Sequence, residues 1–574
     1  MDIPAETDVL ILGGGSAGCV LAARLTEDAS RRVLLVEAGR DMTAATMPAD
    51  IRARYPGRAY LDTANIWRTL TAFMGAPMGN RDTRKSRRYE QARLLGGGSA
   101  INALMANRGA PSDYDEWEAM GATGWSWQEC LPYFRKLETD RDFGGPLHGG
   151  DGPLLIRRAG PDRLSPFVAA VMETLQLHGV PRREDQNGDW QDGVYPGALA
   201  ASDQGERMPT SVAYLTPEVR GRPNLRILTG YRAEAILFDG RSAVGATIVP
   251  TDGGTSGRVE AHETVVASGA IHTPALLLRS GIGPAAGLAA MDIAVVADRA
   301  GVGRNLMEHP SIAVSAILAP EARVRDRAEH HEQAIWRFTS GLPGTPQGDM
   351  HGAILSRSGW HSVGERIGTM FFWVNKSYSR GFVQLASPDP KEEPHVDFRM
   401  LSDPRDLDRL AAALRKGAKI LRDPALAPLC RHVFPASYSP RVASVAMPGR
   451  WNQVQRGLLS MGLDVAGSFT GALVDSIVTQ GVTLDRLLSD EQSMNEFIAT
   501  SVGGTWHPSG TCRMGRAEDR LAVTDHAGRV HGVERLRVCD ASLMPTIPCA
   551  NTNVPTIMIA ERIADLMRRN RPLA

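Results

Sequence analysis

Six consecutive residues, Gly13-Gly14-Gly15-Ser16-Ala17-Gly18, have the types and spacing to seat a pyrophosphate. Gly13 permits a tight turn, Gly15 lets the backbone approach the phosphates, and Gly18 lets a helix pack closely on a sheet. Free N–H groups and the positive end of the following helix would face the anion. Glu37 stands 19 residues after Gly18. An acid there accepts hydrogen bonds from both ribose hydroxyls and repels a 2′-phosphate, which disfavours NADP. Two further segments could do chemistry. Trp506-His507-Pro508-Ser509-Gly510-Thr511-Cys512-Arg513 is a compact mixed motif, and Ala550-Asn551-Thr552-Asn553-Val554-Pro555 presents polar residues at a helix start, a place suited to an anionic ring or oxygen. On the residues alone, His507 reads first as a satisfied core histidine and Asn551 as a turn or cap asparagine.

These residues need elements to hold them. Asp8–Leu12 reads as a short apolar strand, Cys19–Glu27 as a helix, and Arg32–Val36 as a second strand ending at Glu37. That is a βαβ opening with the glycines in the required context. A second cluster, Gly96-Gly97-Gly98, continues into apolar Ile101–Ala106 and not into polar linker. This predicts backbone held against a flat ligand where side chains would intrude. Glu263–Ala267 reads as a strand followed by a short helix bracketed by Pro274 and Gly281. Residues 369–374 and 381–385 read as strands; 406–421, 490–498 and 556–569 read as helices. Segments 320–348 and 436–480 read as insertions or loops.

Composition excludes several classes. The chain has 574 residues, with 64 basic and 64 acidic side chains and no net charge. That balance argues against a nucleic-acid binder. The 59 glycines exceed the ~7% of average proteins but are not periodic. No run of ~18 apolar residues is present, and the acidic start is unlike a secretory leader, so a cytoplasmic protein without an integral membrane segment is expected. The six cysteines form no C-x-x-C pair and read as buried free thiols. No histidine spacing marks a metal site, and His330-His331 reads as part of a solvated polar helix face.

Taken together, these motifs resemble the glucose–methanol–choline oxidoreductase family. The likeness spans the chain: Ala92–Ser99 through Asn102, Ala106, Gly109 and Asp115, then Gly269–Gly283, then the His507 and Asn551 segments. Within the family it points to the branch that oxidises 5-hydroxymethylfurfural and aryl alcohols. The resemblance implies an α/β fold, α+β overall. A Rossmann-like FAD-binding domain (1–155, 205–310 and 500–574) would carry an inserted mixed-sheet substrate-binding domain (156–204 and 311–499). It implies FAD against Gly13, Gly15, Ser16, Ala17 and Gly18, with Glu37 and Ala38 at the ribose. Trp67, Gly97, Gly98, Asn102, Ala103, Leu104 and Met105 would run along the flavin and its linker. Ala233 would lie at the adenine, with Asp540, Ala541, Asn551 and Thr552 completing the set. Family members that attach FAD covalently use a histidine where this chain has Ile101, so FAD is expected to be non-covalent.

The implied chemistry is hydride transfer from a primary alcohol to the flavin. His507 would be the base, and Asn551 would hold the substrate oxygen. The helix starting near Asn553 would stabilise negative charge on the flavin. Met105, Trp373 and Trp506 are candidate walls of an aromatic-substrate pocket. O₂ is the expected acceptor, giving H₂O₂. A dehydrogenase passing electrons to a quinone and a hydroxynitrile lyase of the same fold are the alternatives. Glu308, where the family usually has Asp, carries no assigned role.

Overall fold

The computed structural model describes residues 3–77, 82, 84–436 and 444–569. Strand Glu6–Leu12 pairs in parallel with Val33–Glu37 on one side and with Gly257–Val266 on the other. Val33–Glu37 in turn pairs in parallel with Leu225–Thr229. The antiparallel strands Tyr231–Asp239 and Ser242–Pro250 extend the far edge, and Leu536–Val538 joins Gly257–Val266 in parallel, making seven strands. Val9, Leu10, Ile11 and Leu12 are all 4% exposed or less. This is the near-continuous burial of a parallel strand covered on both faces. Helix Ser16–Leu25 lies on this sheet and against the last helix, Asn553–Arg569.

The glycines explain that close packing. A Cβ on Gly18 would stand 1.9 Å from the Gly13 carbonyl oxygen, so any side chain would push the helix off the turn. Gly13 has φ +116° and a Cβ there would meet Ala267 O at 2.4 Å.

A second sheet has six strands, all antiparallel, in the order Cys430–Ala436, Ser311–Leu318, Ile367–Val374, Met350–Leu355, Glu332–Phe338, Gly193–Pro196. Helix Pro404–Leu421 packs on it, burying Leu410, Ala413, Leu414 and Ala418 at 0% exposure with Val314 and Phe372. A four-stranded sheet mixes parallel and antiparallel pairs among Phe382–Gln384, His395–Met400, Thr71–Gly75 and Arg87–Arg88.

Two expectations change. Segment 320–348 is not a loop: Glu332–Phe338 is a wholly buried strand inside the six-stranded sheet. Its run Glu-Gln-Ala-Ile-Trp-Arg-Phe hides this, because Glu332, Gln333 and Arg337 are buried along with the apolar residues. Segment 436–480 contains the helices Arg450–Val465 and Thr470–Ile477; its part 437–443 lies outside the described residues. Among the described residues no single helix is long and apolar enough to cross a membrane.

Candidate active site

The glycine turn and the second glycine cluster meet. Gly96 N–H donates to Gly14 O at 2.7 Å, and a Cβ on Gly97 would stand 2.7 Å from Gly15 Cα. A Cβ on Gly98 would meet nothing within 4 Å, so this backbone borders open space. Ser16 Oγ donates to Asn553 Oδ1 at 2.7 Å, which joins the starts of the first and last helices. The buried Glu37 carboxylate accepts from Gly14 N–H at 2.8 Å and from Gly39 N–H at 2.7 Å. Burial raises its pKa while those two bonds oppose the rise. Each carboxylate oxygen keeps a further acceptor site. A glycine-walled cradle at two helix starts, with an acid at one end, fits FAD.

Other predicted cofactor residues take structural bonds in the same region. Asp540 caps the helix Gly269–Arg279: its Oδ2 accepts from Gly269 N–H at 2.9 Å and Thr273 Oγ1 at 2.6 Å. Its side chain is therefore committed to protein donors, with Oδ1 accepting from Ser542 N–H at 2.8 Å. Asn102 Oδ1 accepts from Leu104 N–H and from Arg207 Nη1, holding Leu104 at φ +62°. Ala103 O accepts from His330 Nε2. Trp67 lies over His272, ring centroids 4.5 Å apart. Ala38, Ala233 and Ala541 are half-buried.

His507 sits beyond this cradle, 8% exposed. Trp506 before it has φ +60°, a conformation non-glycine residues rarely hold and one that tends to mark functional sites. The backbone here is gripped by Glu308. Its carboxylate accepts from His507 N–H at 2.9 Å, His309 N–H at 2.9 Å, Thr505 Oγ1 at 3.1 Å and Tyr89 Oη at 2.5 Å. Glu308 thus holds the backbone on both sides of the His309–His507 contact.

Three ring contacts settle the proton positions. His309 Nε2 lies 3.1 Å from Pro548 O. A carbonyl only accepts, so His309 Nε2 carries the hydrogen. His309 is fully buried, and burial and then His507 hold its pKa well below the ordinary range, so its Nδ1 is a bare lone pair. That lone pair lies 2.9 Å from His507 Nδ1, so His507 Nδ1 carries the hydrogen, with Thr505 Oγ1 at 2.7 Å as its second neighbour. His507 Nε2 is therefore the unprotonated nitrogen. Burial holds the His507 pKa down to about 3, so it is neutral at ordinary pH.

Asn551 Nδ2 donates to that Nε2 at 3.2 Å. Asn551 is itself fixed by its backbone: Asn551 N–H donates to Asn107 Oδ1 at 3.0 Å. Cys549 N–H donates to Asp113, which also holds the buried ammonium of Lys376. The structure brings His507 and Asn551 together; it leaves Asn551 Oδ1 and Asn107 Nδ2 buried and unpartnered.

Of the expected pocket walls, Met105 and Trp373 share one buried cluster with Leu104, Leu199, Ile335 and Ala353. Trp506 departs from that expectation. It is 46% exposed, and its indole donates to Glu90 Oε2. Its ring lies near-parallel to that of Tyr89, centroids 6.4 Å apart. His351 is 1% exposed and stacks on Trp373 at 4.1 Å, yet neither ring nitrogen has a hydrogen-bond partner. Ser311, Trp373 and His351 stand side by side across three strands, which puts them on one sheet face. Burial, then the charge of Arg337 and then His507, keep His351 neutral. No motif marks a strand histidine, so nothing in the sequence singled it out.

The pair His330-His331 is not a solvated helix face. His330 is 2% exposed, donates from Nε2 to Ala103 O at 2.8 Å and accepts at Nδ1 from Glu332 N–H at 3.1 Å. Elsewhere, Glu138, Asp140 and His148 stand close enough to share a metal ion. Arg108 and Arg158 pair with the two carboxylates. Burial lowers the His148 pKa, but bonds to Asp140, Asp185 and Glu138 outweigh it and lift it to about 10, so charge there is met by cations the chain supplies. All six cysteines are buried and free, as expected.

The GMC oxidoreductase N-terminal family profile matches residues 7–311 and the C-terminal profile residues 377–560. A 5-(hydroxymethyl)furfural oxidase of Methylovorus sp. (strain MP688) is 42% identical over 97% of this chain and 98% of its own. An oxygen-dependent choline dehydrogenase of Burkholderia ambifaria (strain MC40-6) is 33% identical over 99% of this chain and 94% of its own. The crystal structure of pyridoxine 4-oxidase from Mesorbium loti superposes with a TM-score of 0.81 at 28% identity, covering 99% of this chain and 100% of that one. The chain belongs to the GMC oxidoreductase family and is an FAD-dependent oxidoreductase acting on alcohol donors.

Proposed function

We propose that this chain oxidises primary alcohols bearing an aromatic or furan ring to aldehydes, with O₂ as the final acceptor and H₂O₂ as product. FAD, when bound, supplies the acceptor for the hydride that leaves the alcohol carbon. Gly13, Gly15, Gly97 and Glu37 would hold it without a covalent link, and Met105, Trp373 and His351 would face the substrate. The observation that carries the reading is the proton wiring of His507: its Nδ1 hydrogen is engaged by His309 Nδ1, so Nε2 is the base. An alcohol hydroxyl inserted between His507 Nε2 and Asn551 Nδ2 would give its proton to the first and accept a hydrogen bond from the second. A neutral base next to a fixed donor is what hydride loss from an alcohol needs, since the proton must be shared in the transition state.

Three features support the substrate class. Met105 and Trp373 give an apolar wall. His351 offers an unpartnered donor and an unpartnered acceptor, suited to a second oxygen on the substrate. The 42% identical relative is named for a furanic alcohol. A choline-like cation is less well served, because all the Glu308 contacts are with N–H and O–H donors of the protein.

The test is a panel of furanic, benzylic, aliphatic and choline-type alcohols, scored by peroxide in air and by dye reduction without oxygen. Highest kcat/KM on furanic or benzylic alcohols, with one peroxide per aldehyde, is expected. Turnover only with the dye would establish a dehydrogenase instead.

A further inference from the structure

We propose that the outer face of helix Arg450–Val465 is the interface through which two copies of this chain pair. The helix is already anchored on its inner side. Leu463 is 1% exposed in a cluster with Ile317, Val363, Phe434 and Val474, and Asp464 pairs with Arg323 and Arg366. Its outer side is nonetheless apolar: Trp451 is 71% exposed, Val454 50%, Leu458 62%, Met461 58% and Val465 82%. The spacing is 3, 4, 3, 4, the a/d seam of a helix that packs on another helix and not the broader stripe of one that only covers a core. Met447 and Phe469, 44% and 75% exposed, stand in the chain just before and just after the helix.

Area and charge select the occupant. These seven side chains expose roughly 800 Å², above the ~300–600 Å² of the largest patch on a typical monomer. That is about what each partner buries in a standard interface, also ~800 Å². The segment 451–469 carries only two charged residues, Arg456 and Asp464. Arg456 is 5% exposed and bonds backbone carbonyls, and Asp464 is paired inward. Membrane-surface helices carry rims of Lys and Arg; this one has a single exposed basic residue, Arg450 at its first position. An uncharged seam meets its own copy without like-charge cost, and a two-fold axis makes the contact self-complementary. Antiparallel, the seam closes with Val454 of one copy on Leu458 of the other and Trp451 on Met461. The uncharged Gln455, Gly457 and Gly462 flank the seam and allow close approach.

The experiment uses the FAD-loaded full chain at tens of micromolar. Sedimentation velocity is expected to give a dimer for the native chain. The Leu458→Glu/Met461→Glu variant is expected to be a monomer with unchanged turnover and melting temperature. Because every native cysteine is buried, a Leu458→Cys variant can be spin-labelled at that site alone, and strong dipolar coupling between labels is expected. A native monomer, a dimer that persists in the Glu variant, or uncoupled labels would each overturn the proposal. So would flotation of the native chain with phosphatidylcholine/phosphatidylglycerol vesicles that the Glu variant loses, which would assign the stripe to a membrane.

Discussion

His309 Nδ1 stands 2.9 Å from His507 Nδ1, and the carbonyl of Pro548 on the far side of His309 fixes which ring carries the shared hydrogen. His309, together with Thr505 Oγ1 at 2.7 Å, therefore sets the tautomer of His507, the base proposed above. His309→Ala frees His507 to place its hydrogen on Nε2, the wrong nitrogen. We expect kcat to fall roughly 10-fold, less than the ~10²–10⁴ that the whole general base supplies, with little change in KM. His309→Gln, whose amide oxygen can accept from Nδ1–H, should recover much of the loss. Equal losses in both variants, with KM rising in step, would assign His309 to packing alone.

His351 is buried with both ring nitrogens unpartnered, which costs free energy unless a ligand pays it back. His351→Phe removes both polar atoms. KM for an alcohol with a second oxygen across the ring should rise about 10-fold, from one lost buried hydrogen bond. KM for plain benzyl alcohol should hardly change. Measured side by side, equal changes for the two substrates would contradict the assignment.

The non-covalent reading rests on Ile101 standing where a linking histidine would be. Acid or heat denaturation followed by filtration should pass all the flavin. Glu37→Ala should weaken FAD retention during desalting, because its carboxylate orders both Gly14 and Gly39. Flavin that stays with the precipitated protein would contradict the first expectation.

Stability should fall in mild acid. His309, His331 and His351 are held well below the ordinary histidine pKa by burial, His330 at about 4 and His507 at about 3. A depressed folded pKa means the unfolded chain binds the extra proton. The stabilisation is thus complete above about pH 6.5 and is lost as pH drops, at about 1.4 kcal/mol per pH unit per proton. Glu332, lifted by burial to about 8, and His148, lifted by its carboxylate partners to about 10, work the other way, against these depressed histidines and His361 at about 4. Glu37, Glu308 and Asp540 are raised too, each held back by its N–H and O–H donors. The melting temperature should drop steadily from pH 7.5 to 5.5; a flat or rising profile would contradict this burial pattern.

The FAD cradle was legible because it depends on backbone: glycines at Gly13, Gly15 and Gly18 leave a trace in residue type. His507 and Asn551 were legible only through resemblance, since a histidine and an asparagine 44 residues apart carry no spacing signal of their own. The network beneath them was not legible. Glu308 reads as an ordinary acid until the fold brings Tyr89, Thr505 and the His507 backbone to its carboxylate. An Asp, shorter by one methylene, would not reach all of those donors at once. The strand Glu332–Phe338 was missed because polar residues buried on both faces erase the alternation that marks a strand.

The central claim is that His507 Nε2 takes the alcohol proton, and His507→Ala under anaerobic stopped flow tests it most directly. The account predicts that FAD stays bound and that its reduction by a furanic or benzylic alcohol slows by at least ~10², the scale of a lost general base. Reduction at close to the native rate in that variant would contradict it.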